Sequence, residues 1–162
     1  MKIRRTTLDD LPSVLEIYHG ARAFMRENGN PDQWRANHPP QEQIENDIRT
    51  ETSYVCENDG EVLAVFFFDI KPDPTYPVIK GAWLSDLDYG VVHRIARSQS
   101  PGAKGSAAFC LNWCFKQIPN IRIDTHKKNA PMIKLLTGLG FKHCGTIWLE
   151  NGDERMAFQK ID

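Results

Sequence analysis

The apolar positions of this chain change rhythm several times, and each change marks an element. Residues 2 to 5 read as a short strand. Leu11, Val14, Leu15, Tyr18, Ala21 and Met25 then recur at helical spacing on one face. Thr7 followed three residues later by Asp10 gives that helix a capping box, and Asn28-Gly29 ends it. Asn30 to Pro40 is polar, with three prolines around Trp34, and reads as a connection. A shorter helix over Gln41 to Arg49 presents Ile44 and Ile48. Ser53 to Glu57 and Glu61 to Asp69 are β-rich and meet across Asn58-Asp59-Gly60, a hairpin signal. Pro72, Pro74 and Pro77 predict an irregular connection carrying Tyr76, Trp83 and Tyr89.

The second half predicts a strand over Gly90 to Arg97, a glycine-containing loop, a helix from about Gly105 to Gln117 and a strand over Ile121 to Thr125. Strand, crossover helix and second strand make a parallel unit. Asn129 is placed to cap a further helix whose Met132, Leu135, Leu136 and Leu139 form one face before Gly140 stops it. Phe141 to Glu150 and Glu154 to Ile161 close the chain as strands joined across Asn151-Gly152. With no repeat and no low-complexity linker, residues 1–162 read as one domain.

Composition narrows the function classes. An apolar share of 41% with 25% charged residues suffices for a core in a chain of 162 residues. The formal net charge of -1 supplies no broad field for nucleic acid or an anionic membrane. The longest apolar run, Val62 to Phe68, is too short to span a bilayer, and the amino terminus lacks the apolar stretch of a secretory signal. A cytoplasmic location is the expectation. Cys56, Cys110, Cys114 and Cys144 contain no C-x-x-C pair, and Cys110 and Cys114 share an apolar helix face with Ala107 and Leu111. They are expected in the core, with no metal site.

Candidate chemistry begins between the fourth predicted strand and its helix, in Ser98-Gln-Ser-Pro-Gly-Ala-Lys-Gly-Ser-Ala107. Backbone N–H groups and a helix amino terminus at that position suit an anion, such as a diphosphate, and Lys104 adds a donor. A plain structural turn is the other reading. The segment matches neither the P-loop nor the Gly-x-Gly-x-x-Gly fingerprint. Together with the strand Val91 to Arg97, the strand Ile121 to Thr125 and the run from Asn129 to Leu139-Gly-Phe141, it resembles the GNAT superfamily of acyl-CoA-dependent N-acyltransferases. The resemblance spans essentially the whole chain and is strongest from Tyr89 to Phe141. Of the family's three loop anchors, Gly105 and Ala107 match, whereas Gly102 stands where a long polar side chain is usual. Asn30-Pro-Asp-Gln-Trp34, the segment around Tyr76 and Tyr89 to Ala96 are similar to a group of small bacterial members.

The resemblance implies an α/β fold with a mixed, mostly antiparallel sheet of six or seven strands, about four flanking helices and a splayed parallel strand pair. It implies acetyl-CoA as donor, with Ala103, Lys104, Gly105, Ser106 and Ala107 around the pyrophosphate. Ile95, Ala96 and Arg97 would meet the pantetheine and acetyl group through backbone atoms, and Asn129 would lie near the cofactor arm or simply cap its helix. The implied reaction is direct acetyl transfer to a primary amine of a small metabolite or peptide, with Trp34, Tyr76, Trp83 and Tyr89 shaping the acceptor pocket or packing as ordinary aromatics. An amine must be neutral to attack, so a proton acceptor is needed. His93 suits that role or a structural one, and Asp86 or Asp88 could serve if turned toward the acceptor. Strict alternation sets His93 on the face of Ile95 and Arg97, with Arg94 opposite. Leu136 occupies the position where many relatives carry a tyrosine that protonates the leaving thiolate, so water, His126 or no acid at all would serve. The alternatives are a non-catalytic acyl-CoA-binding or regulatory module and a protein-binding module built on the aromatics. A homodimer is compatible with the sequence, which locates no interface.

Overall fold

A computed structural model describes all 162 residues. Its elements run β1 (Lys2–Arg5), α1 (Leu11–Glu27), α2 (Gln41–Arg49), β2 (Ser53–Asn58), β3 (Glu61–Ile70), β4 (Lys80–Gly81), β5 (Gly90–Arg97), α3 (Ser106–Gln117), β6 (Asn120–Thr125), α4 (Ala130–Gly138), β7 (Lys142–Trp148) and β8 (Glu154–Ile161). A single 3-10 turn, Leu8–Asp10, precedes α1, and the Asp10 carboxylate accepts the Thr7 N–H at 2.8 Å. The eight strands form one sheet in the order β1-β2-β3-β5-β6-β8-β7-β4. Every pairing is antiparallel except β5 with β6, which α3 connects. This is the mixed, mostly antiparallel α/β architecture expected from the sequence. Its eighth strand is the two-residue β4, inside the segment read as an irregular connection.

Alternation along the strands divides the core between the two faces of the sheet. Phe66, Phe68, Val92, Ile95, Ile121 and Ile123 join Cys110, Leu111 and Cys114 of α3 and Leu136 of α4 on one face. Val55, Val65 and Ala96 join Val14, Ile17, Tyr18 and Ala21 of α1 and Ile44 and Ile48 of α2 on the other. The hairpin is where the Asn58-Asp59-Gly60 signal places it, with Asp59 and Gly60 both at positive φ.

Two local features open the sheet. First, β5 and β6 pair only at Gly90 with Ile121 and Val91 with Arg122, and no ladder joins them beyond. Second, β5 bulges against β3: Val65 pairs with Ala96 and Phe67 with His93, so Phe66 alone faces both Arg94 and Ile95. Arg94 takes a left-handed conformation with φ 52°. Strict alternation therefore fails at this point. His93 and Arg94 both approach the Phe67 ring, at 5.7 Å and 4.7 Å, while Ile95 turns into the core beneath α3.

The first paired residue of the β5/β6 junction must be glycine. A Cβ on Gly90 would lie 2.6 Å from Phe68 Cε2 and 2.8 Å from Ile121 Cδ1. Gly90→Ala should destabilise the fold by about 1–3 kcal/mol through overpacking, read as a lower urea midpoint at unchanged m-value.

Candidate active site

The divergence of β5 from β6 leaves a cleft of about 580 Å³ lined by residues of both strands, α4, β8 and the α1–α2 and β3–β4 connections. His93 contributes its imidazole from β5. Its Nε2 lies 2.7 Å from Oδ2 of Asp73, which stands in the β3–β4 connection. Oδ1 of the same carboxylate accepts the Thr75 hydroxyl at 2.6 Å and the Thr75 N–H at 2.8 Å, while the Asp73 N–H donates to the Tyr89 hydroxyl at 3.0 Å. Partial burial opposes ionisation of Asp73, but the hydrogen bonds from His93 and Thr75 outweigh it and hold the carboxyl at about 2. An ionised carboxylate only accepts, so in neutral His93 the proton sits on Nε2 and the lone pair is on Nδ1. That Nδ1 is 3.9 Å from Oδ2 of Asp124 on β6. The Tyr76 hydroxyl donates to the same Asp124 oxygen at 2.8 Å, and burial of Tyr76 raises its pKa, so it stays a donor.

Arg94 is fixed beside this pair. Its Nε donates to Oδ2 of Asp47 on α2 at 3.0 Å, its Nη2 lies 2.8 Å from the same oxygen, and its carbonyl accepts the buried Tyr18 hydroxyl at 2.8 Å. Opposite β5, Asn129 lines the cleft and does two jobs. Its Oδ1 caps α4 by accepting the Met132 N–H at 3.3 Å, and its Nδ2 donates to Gln33 Oε1 at 2.9 Å.

The aromatic residues separate into two groups. Trp34 lines the cleft and stacks edge-on against Tyr18 at 5.7 Å. Tyr76, Trp83 and Tyr89 instead pack on one another behind the wall, with centroids 5.1 Å and 6.3 Å from Tyr76. The Trp83 Nε1–H donates to the Tyr76 carbonyl at 2.9 Å, and the buried Arg122 guanidinium lies 4.3 Å from the Trp83 ring and 4.0 Å from that of Tyr89. Asp86 and Asp88 are exposed, outside the cleft lining; the nearest cation to Asp86 is Arg122, 3.9 Å away. His126 sits in an adjoining polar recess, its Nδ1 accepting the Lys128 N–H at 3.1 Å. Leu136 is fully enclosed in the core.

The loop ahead of α3 makes a 3-10 turn at Pro101–Ala103 and enters the helix through Gly105 at φ 83°. Ala103 and Ser106 are buried, with the Ser106 hydroxyl donating to the Ala103 carbonyl at 2.7 Å, whereas Lys104 and Gly105 face outward. Nothing lies within 4 Å of a Cβ built on Gly105, so the backbone here presents an open surface. The N–H groups of the first α3 turn have no intrahelical acceptors and carry the positive end of the helix dipole. These features fit a diphosphate. Ile95 and Ala96 are buried on β5, and the Arg97 guanidinium donates to the Ser98 carbonyl at 3.2 Å.

Sequence reasoning missed Asp73, Thr75, Asp124 and Arg155, all of which line the cleft. Asp73-Pro-Thr75 carries an Asx-turn signal, but nothing in it points across 20 residues to His93.

The Asp73 carboxyl is held below its ordinary 3.8, so its stabilising contribution is complete above pH 3.8 and is lost as pH falls through about 2. Asp73→Asn should flatten the acid limb of the stability curve within that window, measured by urea denaturation at a series of pH values.

No protein-family model matches the chain, and no curated protein matches its sequence. Solved structures do match. A GNAT-family acetyltransferase from Streptococcus agalactiae 2603 superposes with a TM-score of 0.88 at 28% identity, over 99% of this chain and 95% of that one. A ribosomal-protein-alanine N-acetyltransferase from Brucella melitensis gives 0.67 at 20% identity over 100% of both chains. An N-acetyltransferase from Staphylococcus aureus Mu50 gives 0.64 at 22% identity, over 99% and 97%. From β1 to β8 the chain has the fold of the GNAT acetyltransferases.

Proposed function

We propose that residues 1–162 form an acetyltransferase domain that moves an acetyl group from acetyl-CoA to a primary amine of a small metabolite or peptide by direct attack. The observation that carries this reading is the open Nδ1 of His93, oriented by Asp73, inside the cleft where β5 leaves β6. Acetyl-CoA, when bound, supplies the activated acyl carbon. The Ala103 to Ala107 loop and the first turn of α3 would hold its pyrophosphate, and the backbone of Ile95, Ala96 and Arg97 would meet the pantetheine and thioester. Asn129 would bound the arm on the α4 side.

The acceptor arrives as an ammonium, which the Asp124 carboxylate attracts. His93 Nδ1 takes its proton, and the imidazolium that results donates to Asp73 through Nε2. Charge developing on the thioester oxygen falls beside β5 N–H groups that β6 does not use. With Leu136 enclosed in the core, α4 offers no acid at that position. A thiol pKa of about 8.5 lets the thiolate leave without one. The same leucine favours a second reading, a non-catalytic acyl-CoA-binding or protein-interaction module on this fold.

Calorimetric titration with acetyl-CoA, with acetate and a non-nucleotide thioester as controls, should show saturable binding specific to the nucleotide. An amine panel should then give turnover. His93→Gln should lower kcat by about 10²–10⁴ with little change in the acetyl-CoA Kd. Nucleotide binding without turnover of any amine would select the non-catalytic reading.

A further inference from the structure

Arg122 and Arg155 are buried and Arg94 is largely so, and only one of the three lacks a mate. Arg94 is paired with Asp47, and Arg122 is covered by the Trp83 and Tyr89 rings and donates to the Ser85 carbonyl at 2.7 Å. Arg155, on β8, is 5% exposed and lines the cleft. Its Nη1 donates to the Glu154 carbonyl at 2.9 Å and its Nη2 to the Gln33 carbonyl at 3.3 Å. Both acceptors are neutral, and no carboxylate lies within ion-pairing distance. A guanidinium has five N–H donors, so most of this one's capacity is unused by the protein. Burial lowers its pKa, the expected mark of a cation taken out of water without a partner.

Resting on the acetyl-transfer reading, we propose that the acceptor is an amino acid and that Arg155 binds its carboxylate while its amine faces His93 and Asp124. The planar fork of arginine matches a carboxylate in a bidentate geometry. A phosphate would fit the fork as well, but Asp124 and Asp153 lie close enough to act on Arg155, and they disfavour a dianion more than a single negative charge. Asp153 does not compete for Arg155, since Arg35 and Asn151 contact its carboxylate at 3.4 Å and 3.2 Å. The cleft therefore holds a proton acceptor and an anionic group for an ammonium, and a buried cation for a carboxylate. Arg155 also borders the adjoining recess of about 400 Å³, which leaves room for the acceptor's side chain.

The test is binding rather than turnover alone. Free L-amino acids, their carboxamides, and dipeptides whose carboxylate is one residue further away are titrated calorimetrically into the protein saturated with CoA. At least one amino acid should bind about ten- to a hundredfold more tightly than its carboxamide. A matching preference for the dipeptide would move the carboxylate from a free amino acid to a peptide terminus and would overturn the assignment as stated. Arg155→Met should abolish the acid-over-amide preference, and Arg155→Lys should restore part of it. The wild-type comparison needs no variant to fold. Equal binding of acids and amides, no binding of either, or an unchanged preference in Arg155→Met overturns the proposal. Acetylation of simple amines alongside such a result leaves the acetyl-transfer reading standing. Carboxylate binding lost in Arg155→Met, without any acetyl transfer, does the reverse.

Discussion

The interaction on which the rest depends is the anchoring of Arg94 at the bulge in β5. A non-glycine residue at φ 52° costs about 1–2 kcal/mol. Three contacts offset that cost: the ion pair to Asp47, the Phe67 ring beneath the guanidinium and the Tyr18 hydroxyl on the carbonyl. They come from α2, β3 and α1, so the bulge is tied to every layer on that face of the sheet. Its consequence is directional. One extra residue places His93 and Arg94 side by side and resets the alternation for Ile95 and Ala96, which fill opposite cores. With β6 diverging after Val91, the same stretch of β5 is left with one unpaired edge facing the cleft.

Behind that edge, the aromatic residues act as a frame for carboxylates. Tyr89 accepts the Asp73 N–H, and Tyr76 donates to Asp124, so two acids on separate segments are set on either side of one imidazole. Arg122 packs over the Trp83 and Tyr89 rings, 4.3 Å and 4.0 Å from their centroids, and so braces the frame. Such hydrogen bonds are stronger in a partly desolvated wall than in water, and each fixes its neighbour's orientation. The aromatics named from the sequence as pocket walls thus divide: Trp34 faces the cleft, and the other three position the groups that do.

What the sequence made legible was whatever depends on local periodicity. The β2–β3 hairpin follows from alternation around Asn58-Asp59-Gly60, and the parallel pair follows from strand, helix and strand in order. The β4 strand could not be read this way. It is two residues long and is held by backbone approach, Gly81 lying against Gly145 with no room for a Cβ on either. The bulge was equally invisible, because Arg94 is not a residue type that advertises a left-handed conformation, and its stabilising partners lie on three other elements. The site suffered the same limit. His93 was nameable from its chemistry, but Asp73, Asp124 and Arg155 acquire meaning only from the sheet order that brings β3, β5, β6 and β8 together. Asp86 and Asp88, nearer to His93 in sequence, are carried away from it by the exposed loop before β5.

Leu136 shows how packing and chemistry constrain each other. Its side chain is completely enclosed beneath α4, among the residues that also include Ile123 and Phe141. A tyrosine there would have to bury a hydroxyl that finds no partner in an apolar cluster or turn the helix toward the cleft. On the acetyl-transfer reading, catalysis is then weighted toward the amine. The leaving thiolate is stable enough to depart unprotonated, whereas an ammonium cannot attack at all. On the same reading, the acceptor would meet a hydrogen-bonded His93, two carboxylates and a buried arginine, and the donor would meet backbone N–H groups and a helix terminus.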